Sequence, residues 1–599
     1  MIKRIRLKIG ALAVVGVSAA AGVAQADGHM VDVELTKLDG TKMTRNYEKP
    51  RYGGTITMNR EILLVTFSNW DPRGGGGPHE LANLQPTNQR LTQLDWARGA
   101  SGTGDYPNFV AATPPLYIAP MLAESWEMPN ETSLVFKMRE GVHFWEKDDV
   151  AEANPGLEAD YGRELTAHDA AWSKSTLDFM NTGDQGNVTW TALDDHTLEL
   201  TWPTPDATMV AWNFSQYQFI YNSGMANISQ DDWGNWKNAL GTGAYIPTDF
   251  IPGSVVTYKR NDNYWENDPI HTENRLPYAD TLRVIDFDDE ASIVAALRAG
   301  QIDLTNGLGT AGKFGLQLKK TNPEIGQFPA AATPSVFVPR VDLADSPFSD
   351  IKVRQALMMA IPREEILENV YGGYGSVYSF PTFPNFTDWF VKYEDLPTEP
   401  MVEGSCASAK DVVTYNPDKA RECLAAAGYP DGFDFPLVAP PGEAEFAEMY
   451  AGVWQEIGAR ADLQVVEGAV WQSIKDRDDH LGMVTWTPGT WQDPFVNLNL
   501  FLYSKGGINS ARVNDPVYDA MVPILKNEMD NEKRKAEYAK VFSYALEDSS
   551  YLHGVSFDKL TFWHPWVKGY SGEISNVGIQ GWHSLAKNIW IDTDMQPGN

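Results

Sequence analysis

The 599-residue chain carries 80 Asp and Glu against 48 Lys and Arg, a formal net charge of −32, with 43% apolar residues. Nucleic acid and anionic membrane are bound through clustered Lys and Arg, so a field of this sign excludes both as partners. The apolar content suffices for large buried cores, and neither the two Cys nor the ten scattered His show a metal-ligand spacing.

Met1 is followed by Lys3, Arg4, Arg6 and Lys8, then by an apolar run from Ile9 to Ala24, then by Ala24-Gln25-Ala26 ahead of Asp27. A basic start, an apolar stretch and small residues at 24 and 26 are the order of a secretory signal peptide, with cleavage expected after Ala26. The run falls short of the roughly 20 strongly apolar residues that span a bilayer. Cleavage would move the net charge from −32 to −36, since only the four basic residues leave. A periplasmic, unanchored mature protein is expected.

Residues 27–50 are polar and read as a poorly ordered lead-in. A strand is predicted at Gly53–Met58 and an apolar stretch at Ile62–Phe67, which runs into a loop from Ser68 to Pro78 holding Trp70 and Gly74 to Gly77. Leu134, Phe136 and Met138 alternate with Val135, Lys137 and Arg139, the period of a strand with one wetter face. Thr197–Trp202 after Asp194-Asp195, and Val255–Lys259 after Pro252-Gly253, repeat that logic. Ala291–Ala299 changes to helical spacing with Gly300 as its stop, and Ile302-Asp303-Leu304 reads as a short strand. Val353, Ala356, Leu357 and Ala360 mark another helix, and Pro362 is placed to open the next at its first position. Asn416 to Gly428 is helical, with an Asn cap, Pro417 at the first position and Gly428 ending it. Helices and strands alternating in this way favour mixed α/β bodies over a sandwich or a bundle.

Enzyme-like motifs are absent or incomplete. Gly307-Leu308-Gly309-Thr310-Ala311-Gly312-Lys313-Phe314 lacks, at Phe314, the hydroxyl a phosphate loop needs for magnesium, and it is preferred as a turn into the segment from Phe314 to Lys320. There is no HExxH and no GxSxG. No catalytic residue, metal ligand or cofactor is nominated. Cys406 and Cys423 are the two cysteines; in an oxidising compartment a disulfide closing their short loop competes with two separate thiols.

Six segments, in order, carry a resemblance. They are Gly53-Gly54-Thr55; PMLAESWEMPNETSLVFKMREGVHF at 120–144; GTGAYIPTDFIPGSVVTYKRNDNYW at 241–265; AALRAGQIDL at 295–304; PFSDIKVRQALMMAIPREEILENVYGG at 347–373; and YNPDKARECLAAAGYPDGFDFPL at 415–437. Together they resemble the family 5 extracellular solute-binding proteins, the oligopeptide, dipeptide and nickel-binding group of ABC importers, from about residue 51 to about 570. The sequence departs from that pattern in about 20 extra residues at 145–164 and in Pro362, where the family carries Asp.

The resemblance implies a two-lobed α/β fold of the periplasmic-binding-protein type II architecture, with discontinuous lobes. Lobe 1 is expected at 51–310, with a subdomain at about 91–235, lobe 2 at 311–509, and 510–599 returning to lobe 1. It also implies a monomer that captures a small solute between the lobes and delivers it to a membrane permease. The stretch Thr485-Trp486-Thr487-Pro488-Gly489-Thr490-Trp491-Gln492-Asp493-Pro494 looks like the family's cleft loop. Peptide-binding relatives place there an Asp that pairs with the peptide amino terminus. The matching position here is Thr490 or Gly489, neither anionic, and an ammonium buried without a carboxylate is costly. Trp486, Thr487, Gly489, Thr490, Trp491, Gln492 and Asp493, with Trp70, are the candidate ligand-binding residues. The expected cargo is a peptide-like or other small polar solute, with an oligosaccharide as the alternative. From other classes, a secreted hydrolase and a periplasmic chaperone or sensor are the alternatives.

Overall fold

The computed structural model describes residues 30–60, 70–73, 82–105, 117–176, 187–209, 219–287, 289–305, 311–381, 389, 391–477, 479–486, 494–573 and 581–596. The expected signal peptide and the Ile62–Phe67 stretch lie outside them.

Residues 30–48 of the expected lead-in take regular structure. Strands β1 (Met30–Thr36) and β2 (Lys42–Glu48) form an antiparallel hairpin in register from Met30 opposite Glu48 to Thr36 opposite Lys42. Leu35 is buried, and Val33, Met43 and Tyr47 pack against the first core. Arg45 Nη1 donates to the Ala100 carbonyl at 2.7 Å and the Tyr47 hydroxyl to that of Ser101 at 2.7 Å. The segment is ordered by a surface distant in sequence, a signal its own polar composition does not carry.

The first core is built on two four-stranded sheets. One orders β4 (Ala123–Asn130), β5 (Ser133–Met138), β7 (Thr197–Thr201) and β6 (Thr189–Asp194), with α1 (Ala167–Thr176) against it. The other orders β8 (Tyr245–Ile251), β9 (Val255–Arg260), β10 (Thr281–Ile285) and β3 (Thr55–Asn59), the last two parallel. Alternation puts Leu134, Phe136 and Met138 fully inside, as the sequence pattern predicts. The extra residues 145–164 lie along this body through Lys237–Glu152 at 2.6 Å, Lys259–Asp149 at 3.1 Å and Asn154 Nδ2 to Asn238 Oδ1 at 2.9 Å.

The second core surrounds a six-stranded sheet. Its order is β12 (Gly375–Ser376), β16 (Leu552–Trp563), β11 (Gly326–Pro339), β15 (Met483–Trp486), β13 (Phe433–Ala439) and β14 (Ala459–Val465). Helices α4 (Ile351–Met359), α6 (Pro417–Ala426), α7 (Ala444–Gln455), α10 (Pro516–Asn527) and α11 (Asn531–Asp548) supply buried residues to it. Helix α6 follows its caps: Asn416 Oδ1 accepts from the Lys419 amide at 3.0 Å, Pro417 opens the first turn, and Gly428 takes φ +93° beyond the end. Helix α5 (Arg363–Asn369) begins one residue later than expected, leaving Pro362 in the capping position.

A third, smaller cluster joins α2 (Glu290–Arg298) and α3 (Ala311–Thr321) to Leu560 and Phe562. The expected strand at 302–304 reduces to Leu304, which bridges Met58 on one side and Trp563 on the other. Side chains from Ala511 to Val555 enter the second core, and the chain rejoins the first at Trp566. The core clusters thus change some fifty residues after the expected 510, because α10 packs on α11 and α11 on α4 within the second core.

Candidate functional site

Strands β11 and β16 connect the bodies. Their Gly326–Pro329 and Leu560–Trp563 ends pair beside the small third cluster, while Val336, Phe337, Leu552 and Val555 belong to the second core. Between these ends the register breaks twice, at Ala330/Ala332 and at Pro334/Val336. An extra residue in a ladder bends the strand, and Pro334 has no amide to donate, so the pair is weakest where it passes from one body to the other. Gly375, at φ +138°, approaches so closely that an added Cβ would stand 2.2 Å from the Ser556 carbonyl oxygen. Phe557 stacks on Tyr371 with ring centroids 5.0 Å apart.

Ligands of open α/β sheets collect beyond the carboxyl ends of parallel strands. Here β13, β14 and β15 are parallel neighbours that end at Ala439, Val465 and Trp486. Trp486 sits opposite Val336, next to the second register break. Strand β15 thus ends beside the bend in β11. Thr487, Gly489, Thr490, Trp491, Gln492 and Asp493 themselves lie outside the described residues.

Trp486 is 9% exposed and packs edge-on against Phe501 of α9 (Pro494–Phe501), 4.5 Å between centroids at 89°. Lys475 Nζ, from α8 (Gly468–Arg477), stands 5.4 Å from its ring and 5.8 Å from that of Trp471, whose indole donates to the Thr485 carbonyl at 3.1 Å. Trp486 therefore shapes the root of the loop more than it offers a free face. Trp70 is 2% exposed in the first core, 5.7 Å from Phe250 and 6.4 Å from Tyr258 between centroids.

Two residues near the bend escaped sequence reasoning. Lys475 is buried although a helix Lys reads as solvated. Asp558, between the register breaks on β16, has its carboxyl pushed up to about 7 by burial. Followed by Lys559 in the mixed stretch from Val555 to Trp563, it carries no local signal of this burial. Cys406 and Cys423 are joined in a disulfide, Cα to Cα 5.8 Å. Among the described residues no group of three or more His, Cys, Asp or Glu could hold a metal ion, and no helix is long and apolar enough to cross a membrane.

Residues 117–509 match the model of the bacterial extracellular solute-binding proteins, family 5 middle region. The heme-binding protein A of Haemophilus influenzae is 27% identical over 483 residues, 76% of this chain and 81% of that protein. The di/tripeptide-binding protein 1 of Pseudomonas aeruginosa is 26% identical over 454 residues, 70% of this chain and 77% of that protein. The ABC transporter-associated periplasmic binding protein of Helicobacter pylori, solved with the peptide STSA, superposes with a TM-score of 0.70 at 18% identity, covering 90% of this chain and 98% of that one.

Proposed function

Because this chain belongs to the family 5 bacterial extracellular solute-binding proteins, with their two-lobed type II α/β architecture, we propose that it captures a peptide-like or other small polar solute between its lobes and hands it to the permease of an ABC importer. The observation that carries the reading is the pair β11 and β16, two strands that run from one body into the other and lose register twice on the way. We take the first core as one lobe, the second as the other, and the double break as the hinge. Closure then makes contacts to the solute from both sides at once, which is what shifts the population toward the closed state.

The work is binding without chemistry. Loop amides and the side chains of Thr487, Thr490 and Gln492 replace the solute's water, and Trp491 covers an apolar face. The relatives named above are called after peptides and heme, so the oligosaccharide alternative is not favoured. Export by residues 1–26 and a monomeric state complete the reading.

The test is mass spectrometry of whatever copurifies, followed by thermal-shift screening of di- to pentapeptides, hemin and disaccharides. A bound solute raises the melting temperature by mass action. A shift with peptides supports the reading. Turnover of a bound peptide on prolonged incubation would replace it with a hydrolase.

A further inference from the structure

The two cores also touch away from the crossing strands. The Ala207 amide donates to the Lys526 carbonyl at 2.8 Å, and Lys526 Nζ stands 3.2 Å from Asp206 Oδ2. Trp202 and Met209, on either side of Asp206, belong to the first core. Val522 and Leu525, on the helix that carries Lys526, belong to the second.

Each side is prepared for the other. Asp206 Oδ1 accepts from the Thr208 amide at 2.9 Å and from its hydroxyl at 2.6 Å, which fixes the carboxylate and leaves Oδ2 to the ammonium. Lys526 lies in the last turn of α10, where carbonyls lack partners within the helix and a cation suits the helix dipole. The Ala207 amide thus fills a vacancy that every helix end has. Beside the contact is a cavity of about 530 Å³, lined by Glu131, Thr204 and Pro205 from one body and Asn527, Glu528 and Met529 from the other.

We propose that Asp206, Ala207 and Lys526 form a clasp that keeps part of the solute-free population closed, and that it thereby sets solute affinity without touching the solute. The inference rests on the two-lobe reading above. Apparent affinity scales with the fraction of protein in the binding-competent state, so a clasp lost by mutation costs affinity in proportion. A charged hydrogen bond with one buried partner, as here, changes such a fraction by about tenfold.

The experiment compares the full-length protein with Asp206→Asn and Lys526→Met, all without solute. Small-angle scattering reads the radius of gyration, and hydrogen exchange reads the Ala207 amide. Both variants are expected to be larger than the wild type and to exchange Ala207 about tenfold faster, with unchanged urea midpoints. Lys526→Met keeps the backbone carbonyl and comes from the more exposed partner, so it reports even if Asp206→Asn folds poorly. An unchanged radius together with unchanged Ala207 exchange in Lys526→Met overturns the clasp. So does a wild-type Ala207 amide that exchanges without protection. Neither readout uses a solute, so such a failure leaves the solute-capture reading standing.

Discussion

Trp486 meets Phe501 edge to face at 4.5 Å, and Phe501 in turn lies 5.7 Å from Phe380 and 6.0 Å from Tyr551. The last residue of β15 is thereby anchored in an aromatic cluster just before the candidate cleft loop. Replacing a buried Trp by Ala costs about 3–5 kcal/mol through lost transfer and the cavity left behind. Trp486→Ala should lower the urea midpoint strongly, whereas Thr490→Ala and Trp491→Ala should leave it unchanged and weaken binding of the peptide found in the thermal-shift screen. If Trp486→Ala unfolds like the wild type, the packing argument fails. Full affinity in both loop variants would mean that the cleft lies elsewhere.

Asp303 ties the first core to the returning chain. Its Oδ2 accepts from the Thr57 amide at 2.7 Å, and its Oδ1 from the Trp566 indole at 2.7 Å and the Gln596 amide at 3.0 Å. The group is 1% exposed, so Asp303→Ala leaves buried donors without acceptors at about 1–3 kcal/mol each. Asp303→Asn keeps one acceptor and turns the other position into a donor facing a donor. The expected order of melting temperature is wild type, then the two variants both well below it. An Asp303→Ala protein as stable as the wild type would show that these bonds are worth no more than their exchange with water.

What could be read from the sequence was whatever depends on near neighbours. Helix α6 carried its own limits in Asn416, Pro417 and Gly428, and β5 carried its buried face in Leu134, Phe136 and Met138. The β1–β2 hairpin carried a similar alternation, Val33 and Leu35 between Asp32, Glu34 and Thr36, but not the identity of the surface it packs on, which includes Ala100 and Ser101. Trp70 in a Gly-rich loop looked available for a ligand; its burial depends on Phe250 and Tyr258, which no local pattern reveals. Likewise the amphipathic helices α10 and α11 announce a buried face without saying in which core it lies, and their buried residues belong to the second. For the candidate site, Trp486 and its strand were legible, while Lys475 beneath its ring was not.

The disulfide closes a short loop, its cysteines 17 positions apart. In the chain-entropy account a loop of about that size contributes about 3 kcal/mol by restricting the unfolded chain. In the folded state the same segment is also held by Gln355, whose Oε1 accepts from the Cys406 amide at 2.9 Å and whose Nε2 donates to the Ala407 carbonyl at 3.1 Å. Cys406→Ala with Cys423→Ala should destabilise by about 3 kcal/mol. Adding Gln355→Ala should then cost more in the cysteine-free background than in the wild type. Equal costs in both backgrounds would show that the two restraints act independently.

His480 is 3% exposed, with the Val338 backbone and the Arg340 guanidinium beside its ring. Burial, with the Arg340 guanidinium adding to it, brings the imidazole down from 6.5 to about 4. The unfolded chain takes up this proton below about 6.5 and the folded chain only below about 4, so between those values the unfolded state binds more protons. Stability contributed by the neutral ring is present above about pH 6.5 and is lost as the pH falls toward 4, at about 1.4 kcal/mol for each pH unit across the window. His553, 1% exposed on β16 and held well below its ordinary value by burial and Arg363, acts in the same direction. His480→Phe should lose less stability than the wild type on going from pH 7 to pH 4.5, so the gap between their urea midpoints shifts in favour of the variant by an amount equivalent to about 2–3 kcal/mol. Parallel pH profiles would mean that the ring is hydrated or protonated in the folded protein, and the burial assigned to it here would be wrong.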